Sequence, residues 1–113
     1  QAWDEATRST VDPYYESTVA HDRHRLAEMQ AVIDGRSYEG DAGWQAYQQL
    51  AAASGDDPDL FRAFLTLNGV LATADEVLAQ PDVAARAAAL GADWRDAPAF
   101  GPTREQAVAI AGG

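Results

Sequence analysis

From Pro58 to Leu71 the chain reads P-D-L-F-R-A-F-L-T-L-N-G-V-L, with apolar positions spread around most of a helical circumference. At about 100° per residue, Leu60, Phe64, Leu67 and Leu71 form one stripe and Phe61, Leu65 and Ala72 a second. Ala63 and Val70 widen the arc to roughly 220°, leaving Arg62, Thr66 and Gly69 on the other side. A helix with so wide an apolar arc must be covered on several sides, by the rest of the chain or by another part of a larger protein.

The remaining pattern is also helical. Gln1 to Thr10, with Trp3 and Ala6, reads as the last turns of a helix with no cap at its start. Asp12-Pro13 supplies a cap and a proline at the first helical position, so a long helix is expected from Pro13 to Asp34, stopped by a left-handed Gly35. Tyr15, Val19, Leu26, Met29 and Ile33 fall on one heptad-spaced seam, which Asp22 interrupts. Arg36 to Asp41 is a polar loop. Ala42 to Ser54 then places Trp44, Tyr47 and Ala51 on one face of a helix, with Leu50 beside them and Gly55 closing it.

Asp57-Pro58 repeats the cap-and-proline device at the start of the wide-arc helix. Thr73 and Glu76 form a capping box for a short helix through Ala79, and Pro81 is expected to begin another through Leu90, ended by Gly91. Ala92 to Pro102 has two prolines, two large aromatics and no period, which predicts an irregular segment pinned by Trp94 and Phe100. Thr103 with Gln106 is a further capping box before a last short helix. No stretch alternates with period two. The expected architecture is all-α: one unit over residues 1–113, an irregular bundle of about five or six helices with an irregular Pro-containing segment near the C-terminus.

Composition narrows the picture. A chain of 113 residues fits one domain. Its apolar content is heavily alanine, which favours helices and leaves a thin core. There is no cysteine, so disulfides and thiolate metal sites are excluded. No apolar run approaches the roughly 18 residues of a membrane span, and no signal peptide is visible, so a cytoplasmic location is the expectation. The net charge of −10 and pI near 4.3 argue against a nucleic-acid surface. All 8 basic residues are arginine. The chain begins at Gln1 without an initiator Met, as expected of a processed protein or of a piece of a longer one.

Few residues stand out chemically. His21-Asp22-Arg23-His24-Arg25 is the densest ionisable cluster, and on a helix it puts His21 beside His24 and Arg25, and His24 beside Glu28. It reads as a solvated charged face, with proton shuttling or metal binding as the alternatives. Asp22, in the apolar seam, calls for an ion-pair partner, with Arg25 the first candidate, or a helix-capping contact, a site-facing acid being the alternative. Asn68, inside the apolar arc of its helix, is expected to bond a backbone group at a helix junction or to meet a ligand. Tyr14, Tyr15, Trp44 and Tyr47 read as core and boundary residues, or as the lining of a pocket for an aromatic or apolar ligand. No dinucleotide fingerprint, phosphate loop, nucleophile elbow or di-iron motif is present.

W-D-E-A-T (Trp3 to Thr7), P-Y-Y-E-S-T-V-A-H-D-R-H-R-L-A-E (Pro13 to Glu28), D-P-D-L-F-R-A-F-L (Asp57 to Leu65) and A-D-E-V-L-A-Q-P (Ala74 to Pro81) together resemble a known family. In that order they are similar to the C-terminal helical part of bacterial FAD-dependent oxidoreductases, the monooxygenase-like flavoproteins of the para-hydroxybenzoate hydroxylase and tryptophan halogenase type. The likeness runs from the W-D helix to the closing G-P-T-R-E segment, and its motifs are helix-packing patterns rather than catalytic signatures. It implies an N-terminal domain holding FAD, a sheet-based substrate domain, and C-terminal helices packed across both, with the flavin doing the redox chemistry. The family's G-x-G-x-x-G loop and later G-D flavin motif are not in this chain. No FAD-contacting, catalytic or metal residue therefore carries over, and no cofactor is expected to bind this chain alone.

The leading expectation is thus a non-catalytic C-terminal segment whose partner is the remainder of a flavoprotein, with Tyr14, Tyr15 and Asn68 as candidate lining of a substrate pocket. The rival is a self-contained acidic helical module that binds a partner protein or small apolar ligand through Trp44, Tyr47 and the Phe61 and Leu65 stripe. A third hypothesis, a small metalloenzyme, would use His21 and His24.

Overall fold

The computed structural model describes residues 2–96, 102 and 104–112. Among them the chain is all-helical, with no strand, as the pattern predicts. The helices are α1 (Ala2–Thr10), α2 (Asp12–Ile33), α3 (Ala42–Ala53), α4 (Pro58–Asn68), α5 (Ala74–Leu78), α6 (Val83–Leu90) and α7 (Arg104–Gly112).

The expected side-chain cap at Asp12 does not form. Val11 is itself in the right-handed helical region and has no capping bond, and α2 starts at Asp12. The Val11 N–H donates to the Thr7 carbonyl (2.7 Å) and the Tyr15 N–H to the Val11 carbonyl (3.1 Å). Helical bonding therefore runs nearly unbroken from α1 into α2, and Pro13 needs no donor at the join. The other end of α2 follows the sequence. Gly35 is left-handed (φ 69°), with Arg36 N–H bonded to Ala31 O (2.8 Å) and Gly35 N–H to Val32 O (3.1 Å).

The core lies among α3, α4, α5 and α6. It consists of Leu50 and Ala53 from α3, Leu60 and Ala63 from α4, Val77 from α5, and Val83 and Ala87 from α6. Phe64, Leu67, Ala72 and Leu78 pack around it. The fully buried large side chains are Leu50, Leu60 and Val77, each contributing roughly 1.5–3 kcal/mol of burial. This is the thin core expected of an alanine-rich chain. Small residues let α3 and α6 meet closely: a Cβ on Gly91 would lie 2.1 Å from the carbonyl oxygen of Gln49.

The wide-arc helix is shorter and barer than its pattern implies. α4 ends at Asn68 rather than Leu71, and Phe61, Leu65, Val70 and Leu71 are exposed. Only the stripe of Leu60, Ala63, Phe64 and Leu67 is used by the core. The expected cap at its start does form. Asp57 accepts from the backbone N–H groups of Asp59 (2.9 Å) and Leu60 (3.1 Å), and its other oxygen pairs with Arg86 of α6. One buried carboxylate thus starts α4 and ties it to α6.

The Thr73 and Glu76 capping box is present, with Glu76 accepting from Thr73 N–H at 2.8 Å. The helix expected from Pro81 begins instead at Val83, because Asp82 sits in the left-handed region (φ 65°) and breaks the continuation. Residues 91–96 form successive turns, in which Arg95 lies over the Trp94 ring at 4.4 Å. The expected contribution of Phe100 and the expected Thr103 cap lie outside the described residues.

Candidate functional site: an aromatic and imidazole cluster beside a small cleft

The face of α2 that meets the bundle is not the heptad seam. Tyr15, Leu26, Met29 and Ile33 are exposed, while Tyr14, His21, His24 and Glu28 are half-buried and Ala31 is buried. Asp22 is exposed and forms no ion pair with Arg25 among the described residues, so the expected buried pair is replaced by a solvated carboxylate. Rings decide which side docks. The His24 ring stacks on Trp44 of α3 (centroids 5.2 Å apart, planes at 19°), and His21 meets Tyr47 edge-on at 4.8 Å and Trp44 at 5.2 Å.

His24 also clasps the loop between α2 and α3. Its Nδ1 lies 2.7 Å from the Tyr38 hydroxyl and its Nε2 3.2 Å from Asp41 Oδ2. A carboxylate can only accept, so Nε2 carries a proton and donates to Asp41, and in the neutral ring Nδ1 accepts from Tyr38. Asp41 Oδ1 accepts from the Trp44 N–H at 2.8 Å and so caps α3. That backbone bond is the main cause holding the Asp41 carboxyl below its ordinary range. Gly40 is left-handed (φ 66°), and a Cβ there would fall 2.3 Å from Trp44 Cδ1, so only glycine lets the loop cross the indole. Trp44 is 4% exposed, and its indole N–H has no acceptor among the described residues.

Beside this cluster a cleft of about 220 Å³ opens between α2, α3 and the end of α4. Tyr14, Ser17 and His21 form one wall, Tyr47, Leu67 and Asn68 the other, and Val70 and Thr73 the floor. Burial, with the guanidinium of Arg25 adding to it, holds His21 below the usual imidazole range, so its ring is neutral at pH 7. Neither ring nitrogen of His21 makes a hydrogen bond among the described residues. Asn68 donates to the Phe64 carbonyl (2.9 Å) and accepts from the Tyr47 hydroxyl (3.1 Å), fixing one wall.

Of the candidate lining residues, the fold brings Tyr14 and Asn68 to this cleft. Tyr15, 69% exposed, is not among its lining residues. His21 and His24 turn to the rings of α3 instead of sharing a solvated face, and among the described residues no three metal-ligating side chains converge. Trp44, part of the binding surface in the rival reading, is buried and cannot serve as one. Sequence reasoning missed Tyr38 and Asp41. The signal for Asp41 was present, since an aspartate immediately before Ala42 stands at a helix N-cap. Tyr38 carries no local signature, because its partner is 14 residues away.

No family model, curated protein or solved structure matches the chain significantly. No helix among the described residues is long and apolar enough to cross a membrane.

Proposed function

We propose that this chain is a helical segment that packs against the remainder of a larger protein and lends the Tyr14, His21, Tyr47 and Asn68 cleft as part of a pocket wall. The observation that carries this reading is α4. One side of the helix builds the core, while Phe61 and Leu65 on the adjoining side are about half exposed (48% and 51%), an apolar strip that further structure would cover. The Cα radius of gyration supports it, being 16.9 Å against roughly 13 Å for a compact domain of this length.

The resemblance to FAD-dependent oxidoreductases supplies the identity we propose for that remainder: flavin and substrate domains of a monooxygenase-like enzyme in the cytoplasm. The cleft itself does not fit FAD. It is smaller than the roughly 300–1,000 Å³ of sites for drug-sized ligands, and it offers a neutral imidazole and no arginine to a diphosphate. In this reading the flavin is held elsewhere, and the chain is not catalytic by itself.

The test is amide exchange of α4 in the isolated chain and in the product of the reading frame that contains it, with flavin absorbance of that product measured alongside. The expected result is slowed exchange along Leu60–Asn68 only in the longer product, together with a yellow protein. Equal protection in both would overturn the packing role, and a longer product that binds no flavin would overturn the oxidoreductase assignment.

A further inference from the structure

The cleft between α2, α3 and the end of α4 is walled at pH 7 by uncharged side chains. The chain carries 18 acidic and 8 arginine residues, and none of them lines it. A charged ligand would leave water there without meeting a counter-charge, which is costly, so the lining selects a molecule with no net charge. The volume of about 220 Å³ exceeds the ~150 Å³ of a cavity that holds benzene and falls short of the roughly 300 Å³ of the smallest drug-sized sites. A compact molecule of roughly ten non-hydrogen atoms fits between those limits.

The polar groups of the lining determine what that molecule carries. The Tyr47 hydroxyl donates to Asn68 Oδ1 (3.1 Å) and the Thr18 hydroxyl to the Tyr14 carbonyl (2.8 Å), so each has only lone pairs left to offer. Asn68 gives one amide hydrogen to the Phe64 carbonyl and keeps the other. The neutral His21 ring holds one N–H and one lone pair, and neither is engaged among the described residues. Donors and acceptors thus line one small space, and a hydroxyl, which gives one bond and takes others, satisfies both.

The remaining surface sets the apolar part of the ligand. Tyr47 already meets His21 edge-on, Trp44 in a stack at 6.5 Å and Phe64 at 6.1 Å, so its ring is engaged by three neighbours rather than open to a stacked guest. Pro13, Leu67, Val70 and Ala72 supply aliphatic surface, which packs on a rounded hydrocarbon body. We propose that the cleft binds a compact, uncharged aliphatic alcohol, with its hydroxyl beside His21 and Asn68 and its hydrocarbon body against Leu67 and Val70. This ligand class rests on the reading of the cleft as a pocket wall and is independent of the flavoprotein assignment.

Borneol, a rounded bicyclic alcohol, is the probe, titrated into the isotope-labelled 113-residue chain with amide chemical shifts as the readout. Saturable shifts at Ser17, His21, Leu67 and Val70 are expected, with a Kd of roughly 0.1–1 mM. Camphor has the same skeleton with a carbonyl that only accepts, and should bind about five- to tenfold more weakly. Cyclohexanecarboxylate, ionised at neutral pH, should not bind measurably.

Two variants locate the bound probe. His21→Phe keeps a ring against Trp44 and Tyr47 but loses both nitrogens, and should weaken borneol binding about tenfold. Should that variant loosen α2, Ser17→Phe reads the same cleft: at an exposed position it fills the space, and it should abolish binding with helical circular dichroism unchanged. Absence of borneol binding, camphor or the carboxylate binding as tightly, or borneol binding unmoved by Ser17→Phe would overturn the proposal. Exchange along α4 in the longer product is read separately, so the packing role stands or falls without this result.

Discussion

Gly35 and Val70 hold the same place at two helix ends, each the left-handed residue of a closing turn, at φ 69° and 59°. After α2, Arg36 N–H reaches Ala31 O and Gly35 N–H reaches Val32 O. After α4, Leu71 N–H reaches Thr66 O (3.0 Å) and Val70 N–H reaches Leu67 O (3.2 Å). The bonding is the same, but a β-branched residue pays a steric cost where glycine does not. Val70→Gly should therefore stabilise the chain, by roughly 0.5–1 kcal/mol after allowing for the freer unfolded glycine. Thermal denaturation should show a higher midpoint, and Gly35→Val a lower one. A lower midpoint for Val70→Gly would mean that its side chain contributes more at the cleft floor than its backbone loses.

Gly91 is needed for a different reason. Its φ of −99° suits any residue, but its Cα sits against the backbone of Gln49. Gly91→Ala must push α6 away from α3 and should cost about 1–3 kcal/mol or more. Urea denaturation would measure it. An unchanged midpoint would show that the two helices slide apart freely.

Leu60 and Phe61 are neighbours with opposite expectations. Leu60 is wholly buried, so Leu60→Ala should cost about 2–5 kcal/mol. Phe61 is half exposed in this chain, and Phe61→Ala should change stability much less, by about 1 kcal/mol at most. The same Phe61 change, made where the rest of the proposed protein is present, should cost distinctly more. Comparing denaturation of the isolated chain and the longer product tests that difference directly.

Acid should weaken the fold in two stages. His21 has a folded pKa below the ordinary 6.5, so the unfolded chain takes up that proton first. Stability is full above pH 6.5 and declines as pH falls through that value towards the folded pKa. Asp57 is held below 3.8, first by the Leu60 N–H and then by Arg86, and Asp41 is likewise lowered. Their contribution is present above 3.8 and is lost as pH drops through their folded values. Denaturation midpoints between pH 8 and 2 should show both declines, and His21→Asn should remove the upper one alone.

The sequence disclosed what is local. Asp57 and Thr73 cap the helices that follow them because the bond spans only two or three residues, so spacing suffices to find it. Gly35 was equally legible. The pattern failed where packing chose between faces. The heptad positions of α2 carry the more apolar side chains, yet the docked face is the one with Tyr14, His21 and His24, because the two imidazoles meet Trp44 and Tyr47. Neither face announces that choice, since the complementary rings lie 20 or more residues away. The same limit applies to Tyr14 and Tyr15, adjacent in sequence and about 100° apart on the helix. Only the position of Asn68 and Tyr47 tells which of them borders the cleft.

The two oxygens of Asp41 belong to different helices, one holding the first turn of α3 and the other the imidazole of His24 on α2. Detachment of α2 and fraying of the α3 start are thereby coupled into one cooperative opening. The amide of Trp44 should exchange in step with the release of α2, making a single backbone hydrogen a reporter of whether the long helix is docked.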